Sequence, residues 1–121
     1  MKQDILGLRN VPRETIKKIL STAAEMKEKL MRGEKKLPYL AGKSVVTLFY
    51  ENSTRTRMSF ELASKYMSAS AANISASASS VQKGETLIDT GCTLDQMGTD
   101  VIIIRHPMSG AAKLLAAHTN A

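Results

Sequence analysis

Ser44-Val45-Val46-Thr47-Leu48-Phe49-Tyr50-Glu51-Asn52-Ser53-Thr54-Arg55-Thr56-Arg57-Met58-Ser59-Phe60-Glu61-Leu62 changes its periodicity halfway through, and that change decides the fold. Residues 44 to 50 form a β-branched and aromatic run too continuous for a strand with one wet face, so it reads as a buried parallel strand. A polar start at Ser53-Thr54 can then cap a helix over residues 53 to 67, with Met58, Leu62, Ala63 and Tyr66 recurring on one face. Strand becomes helix within about three residues, the short connection of an α/β unit.

The same alternation extends in both directions. Upstream, Ile16, Ile19, Leu20, Ala23, Met26 and Leu30 fall at helical spacing between Pro12 and Gly33, predicting a helix over residues 13 to 31. Downstream, residues 71 to 76 read as a short strand. The small-residue stretch 77 to 84 reads as a loop within one domain rather than a linker, because a helix at 85 to 97 and a strand at 100 to 104 resume at once. A helix from about residue 110 to 118 closes the order α, β, α, β, α, β, α. This predicts one α/β domain over residues 1 to 121, an open parallel sheet with helices on both faces and right-handed crossovers.

Composition agrees. A chain of 121 residues, 43% hydrophobic and 23% charged, is large enough to bury a core without disulfides or metals, and it lacks the signature of disorder. Seven Met and no Trp suggest an aliphatic, adaptable core. The single cysteine, Cys92, excludes a disulfide framework and points to a reducing compartment. The first residues lack the apolar core of a signal peptide, and the longest strongly apolar run is Val101-Ile102-Ile103-Ile104, so a cytoplasmic protein with no membrane contact is expected. Asn52-Ser53-Thr54 and Asn73-Ile74-Ser75 match the glycosylation acceptor pattern, a chance match in a chain that is not secreted.

A net charge of +6 favours anionic partners. Much of the positive charge (Lys17, Lys18, Lys27, Lys29, Arg32, Lys35, Lys36) is interleaved with Glu14, Glu25, Glu28 and Glu34, the pattern of a solvated helix face. Five aromatic residues give few stacking platforms, so nucleic acid is not the expected partner. A small phosphate-bearing molecule remains.

In an open α/β sheet, ligands sit at the carboxyl ends of the strands. The first strand runs into Ser53-Thr54-Arg55-Thr56-Arg57, the second into the loop carrying Ser79 and Lys83, and the third into Arg105. Parallel strands put all three sets on one rim. A helix start there offers free N–H groups and the positive end of a dipole, and Arg55 adds a guanidinium fork suited to phosphate oxygens. Taken alone, the pentapeptide is equally a capped helix start, Arg105 a strand-end charge before a His106-Pro107 turn, and Lys83 an ordinary loop cation. Their shared rim is the argument for a site. Gly42-Lys43-Ser44 imitates the tail of a phosphate-binding P-loop, but Leu37 stands where the first glycine belongs and the tripeptide precedes a strand. His106 and His118 have no metal-ligand spacing with Cys92, so no metal is assigned. Glu85, Asp89 and Asp95 read as a solvated face or helix-start charge rather than an acid/base pair.

Phe49-Tyr50-Glu51-Asn52-Ser53-Thr54-Arg55-Thr56-Arg57-Met58-Ser59-Phe60-Glu61 resembles the carbamoyl-phosphate signature of the aspartate and ornithine carbamoyltransferases. Ser79-Ser80-Val81-Gln82-Lys83-Gly84-Glu85-Thr86-Leu87-Ile88-Asp89-Thr90 is similar to the loop of the aspartate enzymes, and Ile104-Arg105-His106-Pro107 resembles the family's third phosphate-site segment. The resemblance implies that Ser53, Thr54, Arg55 and Thr56 hold the phosphate and that Thr56 and Arg105 address the carbamoyl oxygen. It also implies that Ser79 and Lys83 reach a neighbouring subunit's site in a homotrimer with shared active sites, with a regulatory chain possible. The implied catalytic set is Thr56, Arg105 and Lys83, with no cofactor and no covalent intermediate, and Arg57 is assigned to structure. The chain stops at Asn120-Ala121, before the family's downstream histidine and glutamine and before the aspartate-binding domain. The expected function is therefore carbamoyl-phosphate binding as part of an enzyme that carbamoylates L-aspartate. The alternatives are a non-catalytic phosphate-binding or assembly module and an ornithine carbamoyltransferase. Apolar surface left uncovered is expected on this domain alone.

Overall fold

The computed structural model describes residues 2–75 and 86–121. Helix α1 spans Arg13–Met31, a 3-10 turn spans Pro38–Leu40, and strand β1 (Ser44–Phe49) leads into α2 (Thr54–Tyr66). Strand β2 (Ser70–Ser75), α3 (Leu87–Gln96), β3 (Val101–Arg105) and α4 (Ala111–Ala117) follow. The three strands form a parallel sheet in the order β2-β1-β3. The expected α/β sheet is therefore present, and the loop expected at 77 to 84 lies outside the described residues.

Strand β1 is central because its sequence can be buried on both faces. Val45 through Phe49 are all buried, and Leu48 is 0% exposed. Val46 and Leu48 cluster with Leu94 of α3 and Leu115 of α4, with Ile74, Ile102 and Ile104 packed around them. Strand alternation sends Val45, Thr47 and Phe49 to the opposite face, where α2 packs along β1 and β2. Thr47 is the one polar residue in this run. Its hydroxyl donates to Asn73 Oδ1 at 2.9 Å, which is how a residue only 1% exposed avoids the cost of an unpaired hydroxyl.

Several element ends differ from the sequence reading by about one residue, as helix and strand ends commonly do. β3 runs through Arg105 rather than stopping at 104, because Arg105 O still accepts from Tyr50 N at 2.8 Å. α3 begins at Leu87, after a reciprocal cap in which Asp89 N donates to Thr86 Oγ1 at 3.0 Å and Thr86 N to Asp89 Oδ2 at 3.4 Å. Asp89 is thus the helix-start charge expected of it. Asp95 is not a merely solvated carboxylate: it accepts from Asn120 N at 2.7 Å and Ala121 N at 3.3 Å, fixing the chain that leaves α4. Gly98 takes φ 79°, which lets Thr99 N bond back to Leu94 O at 3.2 Å and turns the chain from α3 toward β3.

Two helical faces correct the periodicity argument. On α2 most of the expected apolar face is outward, with Met58, Leu62 and Ala63 exposed and only Tyr66 half-buried, while Arg57, Glu61 and Ser64 lie half-buried or buried. Ser64 tolerates burial by donating to Phe60 O at 2.7 Å, so a small polar face meets the sheet. On α1 no residue is buried, and Ile19, Leu20, Leu30 and Met31 remain exposed. Among the described residues no helix is long and apolar enough to cross a membrane.

Leu48→Ala should be the severest single truncation in this fold. It removes the most completely buried large side chain from both the sheet and the α3–α4 layer, and the expected loss is about 2–5 kcal/mol, read as a lowered urea midpoint with circular dichroism.

Candidate anion-binding site

At the carboxyl end of β1 the chain enters α2 through Ser53, which occupies the N-cap position without using its side chain as a cap. The first intrahelical bond is Arg57 N to Ser53 O at 3.0 Å, so the amides of Thr54, Arg55 and Thr56 precede the helix ladder. The Ser53 hydroxyl is engaged from another direction: Arg105 Nη1 donates to Ser53 Oγ at 3.1 Å and to Thr56 Oγ1 at a long 3.5 Å. An arginine from the end of β3 has taken the hydroxyl that would otherwise cap the helix. Among the described residues, no acceptor is given to the N–H groups of Thr54, Arg55 and Thr56.

Ser53, Thr54, Arg55, Thr56 and Met58 line a pocket at this helix start. Arg55 is exposed and makes no ion pair among the described residues. Thr56 is half-buried, with its hydroxyl facing Arg105. The pocket thus gathers three features that favour the same kind of ligand: helix amides unbonded among the described residues at a positive dipole end, the three hydroxyls of Ser53, Thr54 and Thr56, and the guanidinium groups of Arg55 and, beside them, Arg105. Each is a donor or a positive charge, and together they suit an oxyanion.

Four residues of the expected set (Ser53, Thr54, Arg55, Thr56) are contiguous here, and Arg105 is brought to them from a different strand. Ser79 and Lys83 lie outside the described residues. Arg57 points away from the pocket, its Nη1 donating to Ser75 Oγ at 3.4 Å, in keeping with its assignment to structure. His106 forms the expected turn, its Nδ1 accepting from Met108 N at 3.0 Å, while its ring lies 4.6 Å from that of Tyr50. Among the described residues no group of three or more His, Cys, Asp or Glu is placed to hold a metal ion.

Sequence reasoning gave Glu51 no role of its own. Its carboxylate accepts from Arg105 Nε at 3.3 Å, so the arginine bridges Glu51, Ser53 and Thr56. Both side chains are more than two-fifths exposed, and such a pair contributes at most about 1 kcal/mol. A doubly charged anion at the helix start can therefore compete for Arg105 at little cost. The available signal was an acidic residue directly after the strand, opposite an arginine at the end of a neighbouring strand.

A parallel sheet whose strand ends gather free helix amides, hydroxyls and arginines defines a class, the phosphate-binding α/β domains. The comparisons narrow it. The family described as aspartate/ornithine carbamoyltransferase, carbamoyl-P binding domain, matches residues 3–121, and this chain belongs to that family. It is 68% identical over 114 residues to the aspartate carbamoyltransferase catalytic subunit of Ruminiclostridium cellulolyticum, covering 94% of this chain and 36% of that protein. It is 65% identical over 119 residues to the same subunit from Acetivibrio thermocellus, covering 98% of this chain and 38% of the relative. Among solved structures, the catalytic subunit of M. jannaschii aspartate transcarbamoylase superposes with a TM-score of 0.86 at 36% identity, over 99% of this chain and 39% of that one. Aspartate transcarbamoylase from Trypanosoma cruzi in complex with carbamoyl phosphate and aspartate gives 0.85 at 35%, over 98% and 38%. The chain thus spans a little over a third of the length of these curated relatives.

Replacing Arg55 with Gln removes a charge-assisted donor worth about 1.5–3 kcal/mol, so inorganic phosphate affinity should fall at least about tenfold. Calorimetric titration of the wild-type and variant chains checks it.

Proposed function

We propose that this chain binds carbamoyl phosphate as the first domain of an aspartate carbamoyltransferase. In that enzyme the carbamoyl group passes to the amine of L-aspartate, giving N-carbamoyl-L-aspartate and phosphate for de novo pyrimidine synthesis. The observation that carries the reading is the meeting of Arg105 with Ser53 and Thr56 at an uncapped helix start. The family match over residues 3–121 and the T. cruzi structure named for carbamoyl phosphate and aspartate support it.

The ligand has an anionic phosphate end and a neutral carbamoyl end whose oxygen accepts hydrogen bonds, and the site offers groups suited to each. The phosphate takes the amides of the first turn, the hydroxyls of Ser53, Thr54 and Thr56, and the Arg55 fork. The carbamoyl oxygen takes Thr56 and Arg105. As the aspartate amine attacks the carbamoyl carbon, negative charge grows on that oxygen, and donors already in place stabilise it without reorganising. The bond from that carbon to the phosphate ester oxygen then breaks, and the amine proton departs with the phosphate. No step needs a metal or a covalent enzyme intermediate.

Ser79 and Lys83 complete this proposal from a neighbouring copy. In the whole enzyme they enter the adjacent subunit's site, which makes the working unit a homotrimer, and a regulatory chain is compatible with that assembly. Lys83 adds a third positive group, and each positive group aimed at developing charge contributes on the order of 3 kcal/mol to catalysis.

Carbamoyl phosphate titrated into the purified chain should bind, and Arg55→Ala or Arg105→Ala should abolish measurable binding. Unchanged affinity in both variants would refute the site. In the protein extended to its relatives' length, Thr56→Val should lower kcat by about 10²-fold, as loss of one oxyanion donor does. Steady-state assay of carbamoyl-aspartate formation is the check.

A further inference from the structure

The first turn of α2 is held from two sides. Arg105 reaches it from β3 through Ser53 and Thr56, while Arg57 leaves it in the other direction and donates to Ser75 Oγ at the last residue of β2. Ser75 and Arg105 are each in register with Phe49, so parallel pairing puts them on one face of the sheet, flanking the last residue of β1. Two arginines thus tie the same helix turn to the two outer strands.

The Arg57 tie has a buried anchor. Ser75 Oγ also accepts from Asn73 Nδ2 at 3.3 Å, and Asn73 Oδ1 accepts from Thr47 Oγ1 at 2.9 Å, in the centre of β1. Among the described residues Arg57 makes no ion pair and its buried Nε has no hydrogen-bond partner. A cation present only for solubility would swing into water and leave no donor unpaired. This one is kept under the helix despite an unmade bond, as expected of a side chain held for its position. Residues two apart on a helix point in different directions, so Arg57 does not share the ligand with Arg55.

We infer that Arg57 is a positioning residue: through Ser75, Asn73 and Thr47 it seats Thr54–Thr56 over the strand ends and so sets the affinity of a cradle whose anion it does not touch. The functional half of this inference rests on the carbamoyl-phosphate reading above, whereas the seating itself does not.

The test compares the 121-residue chain with Arg57→Lys, which keeps the charge but not the fork, with Ser75→Ala, and with the double variant. Backbone order parameters from nitrogen-15 relaxation in the ligand-free protein should fall at Thr54, Arg55 and Thr56 in each variant, while those of β1 hold. Carbamoyl phosphate should bind on the order of 3- to 10-fold more weakly to each single variant, and the double should be no weaker than the worse single, because both break one link. Unchanged order parameters in Ser75→Ala, wild-type affinity in Arg57→Lys or additive losses in the double would each overturn the positioning role. If the wild-type chain binds no carbamoyl phosphate, the functional reading falls, and the order parameters alone then decide whether Arg57 seats the turn.

Discussion

Strand β1 is paired on both edges and covered on both faces, and every other feature of this domain is located by it. Its apolar side chains hold α3 and α4 on one face, and its register with β2 and β3 brings Ser75 and Arg105 level with Phe49. The chain must then leave a buried strand end at the rim, and it does so by starting a helix. The helix start at the rim is therefore a consequence of how a fully buried parallel strand terminates, with the helix amides delivered to the end of the sheet where the neighbouring strands deliver their side chains.

The charge at this rim is arranged by competition rather than by burial. Arg105 is shared among Glu51, Ser53 and Thr56, and no contact in that set is short or deeply shielded from water. Weak, solvated contacts suit a group that must exchange its partners for a ligand, because little is lost when the exchange occurs. Arg57 is itself half-buried, and its long, exposed bond to Ser75 leads through Asn73 to the buried Thr47. The two arginines of one small region thus differ in their partners, Arg105 meeting the rim at the end of β1 and the start of α2, and Arg57 meeting the last residue of β2.

The two helices that depart from their apolar patterns have separate causes. α2 turns Met58 and Leu62 outward because the face carrying Arg57, Glu61 and Ser64 is the one that follows from placing Ser53 at the rim. α1 is amphipathic by spacing, yet none of its residues is buried and only Ile16 and Met26 of its apolar stripe are half-covered. Periodicity reports that a face is able to be buried. It does not report what covers it.

The amino-acid order by itself determined the alternation of helix and parallel strand, because burial on two faces writes a continuous apolar run and burial on one helical face writes a 3.6-residue period. It also determined that Ser53, Thr54, Arg55 and Thr56 begin a helix directly after a strand, and that Arg105 stands where another strand of the same sheet runs out. Thr47, polar inside an apolar run, carried a legible demand for a hydrogen-bond partner without naming Asn73. Only the tertiary structure decided that Arg105 takes the Ser53 hydroxyl and is shared with Glu51, and that Arg57 turns to Ser75. Each of those contacts joins residues far apart in the chain, and their meeting depends on strand order and register, which local spacing does not encode.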